Sequence, residues 1–331
     1  MKIPFSLSLS ACLLLLASSL PLSAASAAWD GQSWADYSQF LGPIDAGMKQ
    51  NLRTILSSGQ QQGRSAGRMG QIGDSITYSD AYFRNAEAFD VTNNETGRDY
   101  GPIRSWIAYD NTQPADGNSF YRDHGKGSGY GNESGWTLYR AISDGHPDKS
   151  VLVGDGTTPG NFSWVLIMFG TNDINDPNWN ANAWKSMYHD FIQGYIDLGV
   201  IPVLSTIPPS LEHLDDGRVE LANQKVLDLS SEMQVPYVDF YALVMYYQPS
   251  SWVNSLISSD GIHPSAGGGG VDFSRDGLTS SDGYAARTKL SFDMAEKLQR
   301  IVFDNGTPDG QLPAPGQSTG SFKSGFSGSG Y

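Results

Sequence analysis

The chain has 331 residues and a formal net charge of −14, from 35 acidic and 21 basic side chains. This excess of negative charge repels phosphate backbones and anionic membrane surfaces, so nucleic acid is not an expected partner. The single cysteine, Cys12, lies in an apolar N-terminal stretch. A mature protein without that stretch would have no thiol, which excludes a cysteine nucleophile and a cysteine-based zinc site.

Residues 1–27 have the pattern of a secretory signal peptide. One basic residue, Lys2, precedes an apolar run that is densest at 13–16, and small residues follow at 25–27. This order predicts cleavage after the small residues, a secreted or periplasmic protein, and no membrane insertion after cleavage. A membrane anchor fits less well because serines and a proline interrupt the run. A lipoprotein signal ending at Cys12 also fits less well, because the most apolar residues come after the cysteine.

A single domain is predicted over 28–305, where helical and strand-like patterns alternate. The apolar patterns predict these elements in chain order: a helix at 48–56, a strand ending at Gly73, strands at 161–169, 200–207 and 235–240, helices between them at 184–196 and 219–233, and a closing helix at 290–301. The strands are continuous apolar runs, which are typical of strands buried on both faces. Right-handed crossovers then predict an α/β fold with helices on both faces of a parallel sheet.

Two segments depart from this alternation. Residues 78–131 are polar, rich in Asp, Asn and Gly, and without a clear period, which predicts an insertion or an elaborated surface loop. Residues 306–331 are rich in Gly, Ser and Pro and are predicted to be a flexible tail. An alternative for the tail is attachment to the cell envelope, in which case truncation would change location but not activity.

One histidine stands out as a candidate general base. Four of the five histidines lie in polar loops or an amphipathic helix, where a structural role is the simpler interpretation: His124, His146, His189 and His213. The fifth, His263, lies in SSDGIHPS, three residues after Asp260. At this spacing a carboxylate can hold one ring nitrogen and leave the other for a nucleophile. The pair alone is a weak signal, because chance produces it often.

Three further segments fall where strands end, at the edge of a parallel sheet that binds ligands. Ser75 follows a glycine at a strand end in MGQIGDSITY, a position that presents a nucleophile but that an ordinary loop also provides. Asn172 ends the buried strand in FGTND, where its amide can donate to developing negative charge or simply cap the loop. Gly135 opens a helical stretch in SGWT, where its N–H is open to a substrate carbonyl unless it is merely a helix-start glycine.

Together the four segments resemble, in order, the motifs of the SGNH, or GDSL-type, hydrolase family over residues 69–303. The matching residues are these: Gly73-Asp74-Ser75-Ile76, Ser134-Gly135-Trp136-Thr137, Gly170-Thr171-Asn172-Asp173 and Asp260-Gly261-Ile262-His263-Pro264. The resemblance implies a flavodoxin-like three-layer α/β/α sandwich, with Ser75 as nucleophile, His263 as base and Asp260 orienting His263. It also implies an oxyanion site built from the amides of Ser75 and Gly135 and the side chain of Asn172. No metal or organic cofactor is implied.

Two features leave alternatives open. Ser75 and Gly135 are separated by the 78–131 segment, so Gly131 is a rival for the second oxyanion amide. The polar residues before Asp74 predict a short or edge strand. In addition, GRSAG fits the G-x-S-x-G nucleophile elbow of α/β-hydrolases, which makes Ser65 a weaker candidate because no apolar strand precedes it.

The predicted function is a secreted serine esterase that hydrolyses O-acyl esters, above all acetyl esters, on a carbohydrate. Secretion, acidity and the absence of a greasy lid-like segment favour a soluble or polymeric carbohydrate over bilayer lipid. Five tryptophans are candidates for stacking on sugars, although aromatic residues at this frequency are mostly core and Trp184 fits helix packing: Trp106, Trp136, Trp179, Trp184 and Trp252. The alternatives are a lipase, thioesterase or arylesterase of the same fold, and an inactive module that binds polysaccharide without hydrolysing an ester.

Overall fold

The computed structural model describes most of the predicted domain, in these ranges: 33–84, 94–107, 127–153, 161–267 and 270–311. The predicted signal peptide, Cys12 and His124 lie outside the described residues. So do large parts of the predicted insertion, at 85–93 and 108–126, and most of the predicted tail, from 312 onward. In the described part of the chain, no helix is both long and apolar enough to cross a membrane.

The described sheet has four parallel strands in the order β1-β2-β3-β4. Their bounds are as follows: β1 Met69–Gly73, β2 Trp164–Met168, β3 Ile201–Ser205 and β4 Tyr237–Val238. Gly73 pairs with Met168, so the carboxyl ends of β1 and β2 lie side by side. On the other side of β2, Val165 pairs with Pro202 of β3. Every residue of β2 is buried, as expected for a continuous apolar run covered on both faces.

Eight α-helices surround this sheet in the described residues. Their bounds are as follows: α1 Ala46–Gln61, α2 Ser75–Tyr78, α3 Gly101–Ile107, α4 Leu138–Ser143, α5 Ala181–Asp197, α6 Arg218–Met233, α7 Phe240–Tyr247 and α8 Gly283–Leu298. Short 3₁₀ and π-helical turns are also present: Ser33–Ala35, Ser38–Phe40, Ser128–Tyr130, Lys149–Val153, Asp173–Asn175, Leu211–His213, Gly277–Ser281 and Gln299–Phe303. Asp or Asn side chains cap most of the longer helices, as Asp45 does for α1 and Asn180 does for α5.

The helices form two layers, one on each face of the sheet. Helix α5 packs against β3 and between α4 and α6. On the other face, α1 packs against β3 and against the 299–303 turn, and α8 packs against β4. The predicted α/β fold with helices on both faces of a parallel sheet is therefore confirmed, and it has the three layers that the family resemblance implies.

Strand β1 lies at the edge of the four-stranded sheet, as its polar sequence predicts. Among the described residues, Asn132 extends the sheet past β1 through an isolated parallel bridge to Gly73. The Gly73 amide donates to the Gly131 carbonyl at 3.0 Å, and the Glu133 amide donates to the Gly73 carbonyl at 3.2 Å. The chain at 131–133 thus takes the place of the outer strand beside the first strand of a flavodoxin-like sheet. All five residues of β1 are nevertheless buried.

The predicted strand at 235–240 is too long. Only Tyr237 and Val238 pair with β3, because Asp239 ends the strand and its side chain accepts a hydrogen bond from the Ala242 amide at 3.0 Å. Phe240 then begins α7, a helix that the sequence analysis did not predict. A capping carboxylate at the end of an apolar run therefore decides the boundary.

The predicted insertion contributes to the core as well as to the surface. Among its described residues, Tyr82, Phe83 and Tyr100 are buried. Tyr100 stacks on Phe292 of α8 with ring centroids 5.5 Å apart. At the other end of the chain, the first described residues of the predicted tail also contact the domain, since the Asp309 amide donates to the Ile44 carbonyl at 2.9 Å.

Candidate active site

Ser75 lies directly after the carboxyl end of β1 and is the first residue of α2. It is half-buried, and its Oγ lies 2.8 Å from His263 Nε2. Residues 188 positions apart in the sequence therefore form a direct hydrogen bond. This is the geometry that proton transfer from a serine hydroxyl to an imidazole requires.

The turn that carries Ser75 is tightly built. A Cβ atom at Gly73 would lie 2.5 Å from the Met168 carbonyl oxygen and 2.5 Å from Thr77 Oγ1, so only glycine fits. Asp74 caps the next turn, because its Oδ1 accepts a hydrogen bond from the Ile76 amide at 3.0 Å. The strand-end glycine and the capping aspartate together force the chain from β1 into a helical turn at Ser75.

Asp260 holds His263 in place through both carboxylate oxygens. His263 Nδ1 donates to Asp260 Oδ2 at 2.7 Å, which leaves Nε2 as the acceptor for the Ser75 hydroxyl. Asp260 Oδ1 accepts from Ser258 Oγ and from the amides of Ile262 and His263, at 2.7, 2.9 and 3.0 Å. Partial burial opposes ionisation, but these hydrogen bonds outweigh it and hold the pKa of Asp260 well below its usual range.

Two of the backbone amides proposed for the oxyanion site, those of Ser75 and Gly135, have no hydrogen-bond acceptor among the described residues. Gly135 is exposed, its φ is +75°, and a Cβ atom there would meet nothing within 4 Å. The rival, Gly131, is buried, and its amide already donates to the Ser128 carbonyl at 3.3 Å. Of the two glycines, only Gly135 has an N–H that is open to a ligand.

The side chain of Asn172 is fixed by one of its two N–H groups. Its Nδ2 donates to the Trp136 carbonyl at 2.9 Å, and an amide nitrogen carries a second hydrogen that remains for a ligand. The next residue, Asp173, accepts a hydrogen bond from the Leu138 amide at 3.0 Å. These two hydrogen bonds join the end of β2 to the segment that follows Gly135. They therefore fix Asn172 and the chain next to Gly135 relative to each other.

Two carboxylates of this region are buried: Asp74, which precedes the nucleophile, and Asp173, which accepts from the Leu138 amide. Burial raises the pKa of Asp74 to about 6, although the Ile76 amide and the Arg287 guanidinium act in the opposite direction. Burial also raises the pKa of Asp173 to about 6, and the negative charge of Asp74 adds to this effect. Sequence reasoning did not assign a role to Asp173 or Arg287, since nothing in their local pattern indicates the long-range contacts that they make.

Other sequence candidates lie elsewhere. Ser65 accepts a hydrogen bond from Asn161 Nδ2 at 2.9 Å, and β1 begins after it and not before it, which is the wrong order for a nucleophile elbow. His213 contacts Asp216 and Asn175, and His146 Nε2 lies 2.9 Å from the Ser128 carbonyl.

The tryptophans are mostly core residues and not a sugar-binding surface. Trp136, Trp184 and Trp252 are at most 7% exposed, so for these three the core interpretation fits and sugar stacking does not. The other two, Trp106 and Trp179, are half-buried and pack against the core.

A family model described as the GDSL-like Lipase/Acylhydrolase family matches residues 72–269 of this chain. This range contains the nucleophile turn, Gly135, Asn172 and the Asp260–His263 loop, and it spans more than half of the chain. The protein therefore belongs to this family, and it is a carboxylic ester hydrolase. No protein of curated function matches the chain in sequence.

Several solved structures are similar to this chain at low sequence identity. A lipase/acylhydrolase from Enterococcus faecalis is 16% identical, with 70% of this chain and 95% of that chain covered and a TM-score of 0.43. A catalytic mutant of an acetylxylan esterase from Geobacillus stearothermophilus is 16% identical, with 72% and 95% covered and a TM-score of 0.40. A carbohydrate esterase family 3 protein from Talaromyces cellulolyticus is 17% identical, with 72% and 98% covered and a TM-score of 0.43.

Proposed function

We propose that the protein is a secreted serine esterase that removes O-acyl groups, above all acetyl groups, from carbohydrate. The observation that supports the catalytic part is the continuous chain of short hydrogen bonds from Asp260 through His263 to Ser75. The N–H groups of Ser75, Gly135 and Asn172 that remain for a ligand supply the oxyanion donors that acyl transfer requires.

In the proposed first step, Ser75 Oγ attacks the ester carbonyl carbon while His263 Nε2 takes the hydroxyl proton. The carboxylate of Asp260 stabilises the imidazolium that forms. The oxyanion accepts hydrogen bonds from the amides of Ser75 and Gly135 and from Asn172 Nδ2. Collapse of the tetrahedral intermediate breaks the ester C–O bond, and His263 gives its proton to the leaving alcohol.

In the second step, water attacks the acyl-enzyme. His263 takes a proton from the water, and a second tetrahedral intermediate forms in the same oxyanion site. When it collapses, the carboxylic acid leaves and the proton returns from His263 to Ser75 Oγ. The two steps are thus balanced without any further reactant.

The catalytic proposal is tested by replacing each of two serines. We expect Ser75→Ala to lower kcat for an aryl acetate by at least about 10⁴-fold, because removal of a triad nucleophile leaves only binding and oxyanion stabilisation. Ser65→Ala is the matched control, because this serine lies in the rival motif and outside the site, and it should retain wild-type kcat. Normal turnover by Ser75→Ala, or loss of turnover in Ser65→Ala, would refute the assignment.

The carbohydrate part of the proposal is supported by the openness of the site. The side chains of His263 and Asp260 are 36% and 49% exposed, so the triad lies at the surface, where a polymer chain has room to bind. Tyr139 is 66% exposed and lies on α4, which begins three residues after Gly135. An exposed aromatic ring in this region is suited to contact a sugar ring.

This substrate class is tested with Tyr139→Ala. We expect KM to rise for an acetylated oligosaccharide and to stay unchanged for a small aryl acetate, because only the larger substrate reaches the ring. Tyr246→Ala is the control, since this tyrosine is 60% exposed on α7. The enzyme would also be tested on a panel of acetylated glycans. If it hydrolysed none of them faster than it hydrolyses the aryl acetate, carbohydrate would be rejected as the substrate.

One observation favours the lipase or arylesterase alternative. Leu211 is 42% exposed and contacts the catalytic loop, because its amide donates to the Gly261 carbonyl at 2.9 Å. Apolar surface at this position suits a longer acyl chain or an aryl alcohol. If the alternative holds, long-chain aryl esters should be better substrates than aryl acetates, and Leu211→Ser should abolish the difference while Leu214→Ser, which replaces a 57% exposed leucine of the same segment, does not.

Secretion is proposed from residues 1–27 alone. We expect export of the full-length chain from a bacterial host with loss of these residues, as measured by N-terminal sequencing of the exported protein. Retention of the uncleaved chain in the cell would refute this part and leave the catalytic proposal untouched.

A further inference from the structure

Arg287 of α8 is a buried cation that contacts the nucleophile turn from outside the family motifs. It is 2% exposed. Its Nη1 donates to the Ile76 carbonyl and its Nη2 donates to Thr77 Oγ1, both at 2.9 Å. Its Cζ lies 4.0 Å from the centre of the Tyr82 ring, which fixes the plane of the guanidinium.

The backbone of Ile76, the residue after Ser75, is therefore hydrogen-bonded through both its N–H and its carbonyl. The Ile76 N–H donates to Asp74 Oδ1 at 3.0 Å, and the Ile76 carbonyl accepts from Arg287 at 2.9 Å. Asp74 and Arg287 also attract each other as opposite charges in a dry environment. An arginine can bind two acceptors at once through its rigid fork, whereas a lysine offers only a compact point charge.

We propose that Arg287 is a positioning residue for the esterase reaction: it fixes the turn at 75–78 so that the hydroxyl and amide of Ser75 stay aligned with His263. This inference rests on the proposed role of Ser75 as nucleophile. Arg287 does not touch the reacting atoms, and it acts through the Ile76 carbonyl and the Thr77 hydroxyl. Its loss should therefore lower kcat and leave KM nearly unchanged, since binding of the ground-state substrate does not depend on it.

Loss of Arg287 should also change how activity depends on pH. Several groups act on the Asp74 carboxylate from the surrounding elements: the Ile76 amide, Arg287, Tyr284, Thr171, Asp173, Tyr188 and His263. Arg287 favours the ionised form of Asp74. Removal of the Arg287 charge therefore raises the pKa of Asp74 above its wild-type value of about 6. Ionised Asp74 binds the Ile76 amide more strongly than neutral Asp74 does. The deficit of an Arg287 variant relative to wild type should therefore be largest just above pH 6 and shrink toward pH 9.

The experiment compares Arg287→Lys and Arg287→Met with Lys289→Met. Lys289 is the matched control, because it is a fully buried cation two residues away on the same helix and pairs with Asp293 at 2.6 Å. With an aryl acetate, and after correction for the folded fraction by circular dichroism, we expect kcat to fall about 10-fold for Arg287→Lys and about 100-fold for Arg287→Met. KM should change less than about two-fold, and Lys289→Met should keep wild-type kcat.

Further variants keep the test decisive. If Arg287→Met does not fold, two other single variants, Arg287→Lys and Thr77→Val, are compared with Lys289→Met instead. Thr77→Val removes the hydroxyl that accepts from Arg287 Nη2. Both variants should lower kcat at constant KM. The inference is overturned if folded Arg287 variants match Lys289→Met in kcat, or if their deficit does not vary with pH. Full activity in Ser75→Ala would instead overturn the proposed function itself, so the two failures are distinguishable.

Discussion

Replacing Asn172 with alanine removes a side-chain donor from the proposed oxyanion site. In the structure, one N–H of Asn172 is bound to the Trp136 carbonyl at 2.9 Å, and the other remains for the substrate oxygen. The variant loses both, so the oxyanion keeps only the amides of Ser75 and Gly135. Loss of one such donor typically costs about 10²- to 10³-fold in kcat, or about 2.7–4 kcal/mol of transition-state stabilisation.

The assay is steady-state hydrolysis of an aryl acetate at several substrate concentrations. We expect the loss to fall on kcat, with KM changed less than about two-fold, because the donor acts mainly on charge that develops in the transition state. Asn51→Ala is the matched control: Asn51 is also half-buried, and its Nδ2 also donates to backbone carbonyls, those of Met233 and Gln234. A loss of less than about 10-fold in Asn172→Ala, or an equal loss in the control, would refute the reasoning.

Three further predictions concern neighbouring residues. Asp260→Asn should lower kcat by about 10⁴-fold, because an amide does not fix the required tautomer of His263; an aryl acetate assay that finds less than a 10-fold loss would contradict this. Burial raises the pKa of Asp173 to about 6, so its contribution to stability is present below the unfolded pKa of about 4 and is lost as the pH rises through about 6. Asp173→Asn should therefore raise Tm relative to wild type more at pH 8 than at pH 4, and an equal difference at both pH values would exclude this account. Gly135→Ala should lose about 1–2 kcal/mol of unfolding free energy in urea, because its φ of +75° strains any Cβ. Gly63→Ala, with a φ of +78° and equally open space, should lose as much stability, but only Gly135→Ala should also lose kcat.

The sequence predicts well those features that local chemistry decides. The apolar runs that became β2 and β3 are continuous and bounded by turn residues, and their burial on both faces follows directly. The ligand edge of the sheet also follows, because Ser75 and Asn172 come after the carboxyl ends of neighbouring parallel strands. His263 was singled out among the five histidines by its spacing from Asp260, and the motif resemblance then linked it and Gly135, far away along the chain, to Ser75.

Features that depend on long-range partners were not predictable in this way. The contact of Arg287 with the nucleophile turn joins residues 211 positions apart, and the sequence around an arginine gives no sign of its distant acceptors. The same holds for Asp173 and the Leu138 amide. The end of β4 was missed for a different reason, since the apolar residues after Asp239 suit either a strand or a helix until the capping bond is seen.

The pairing of Gly73 with Asn132 has a consequence for how this enzyme can diversify. The chain leaves the edge of the sheet after α2 and forms hydrogen bonds with the same edge again at 131–133. A change of chain length between these two points that keeps the buried Tyr82, Phe83 and Tyr100 need not displace the serine, its imidazole partner or the backbone around them. Evolution or a protein engineer can therefore vary the chain length here while the acyl-transfer machinery stays constant.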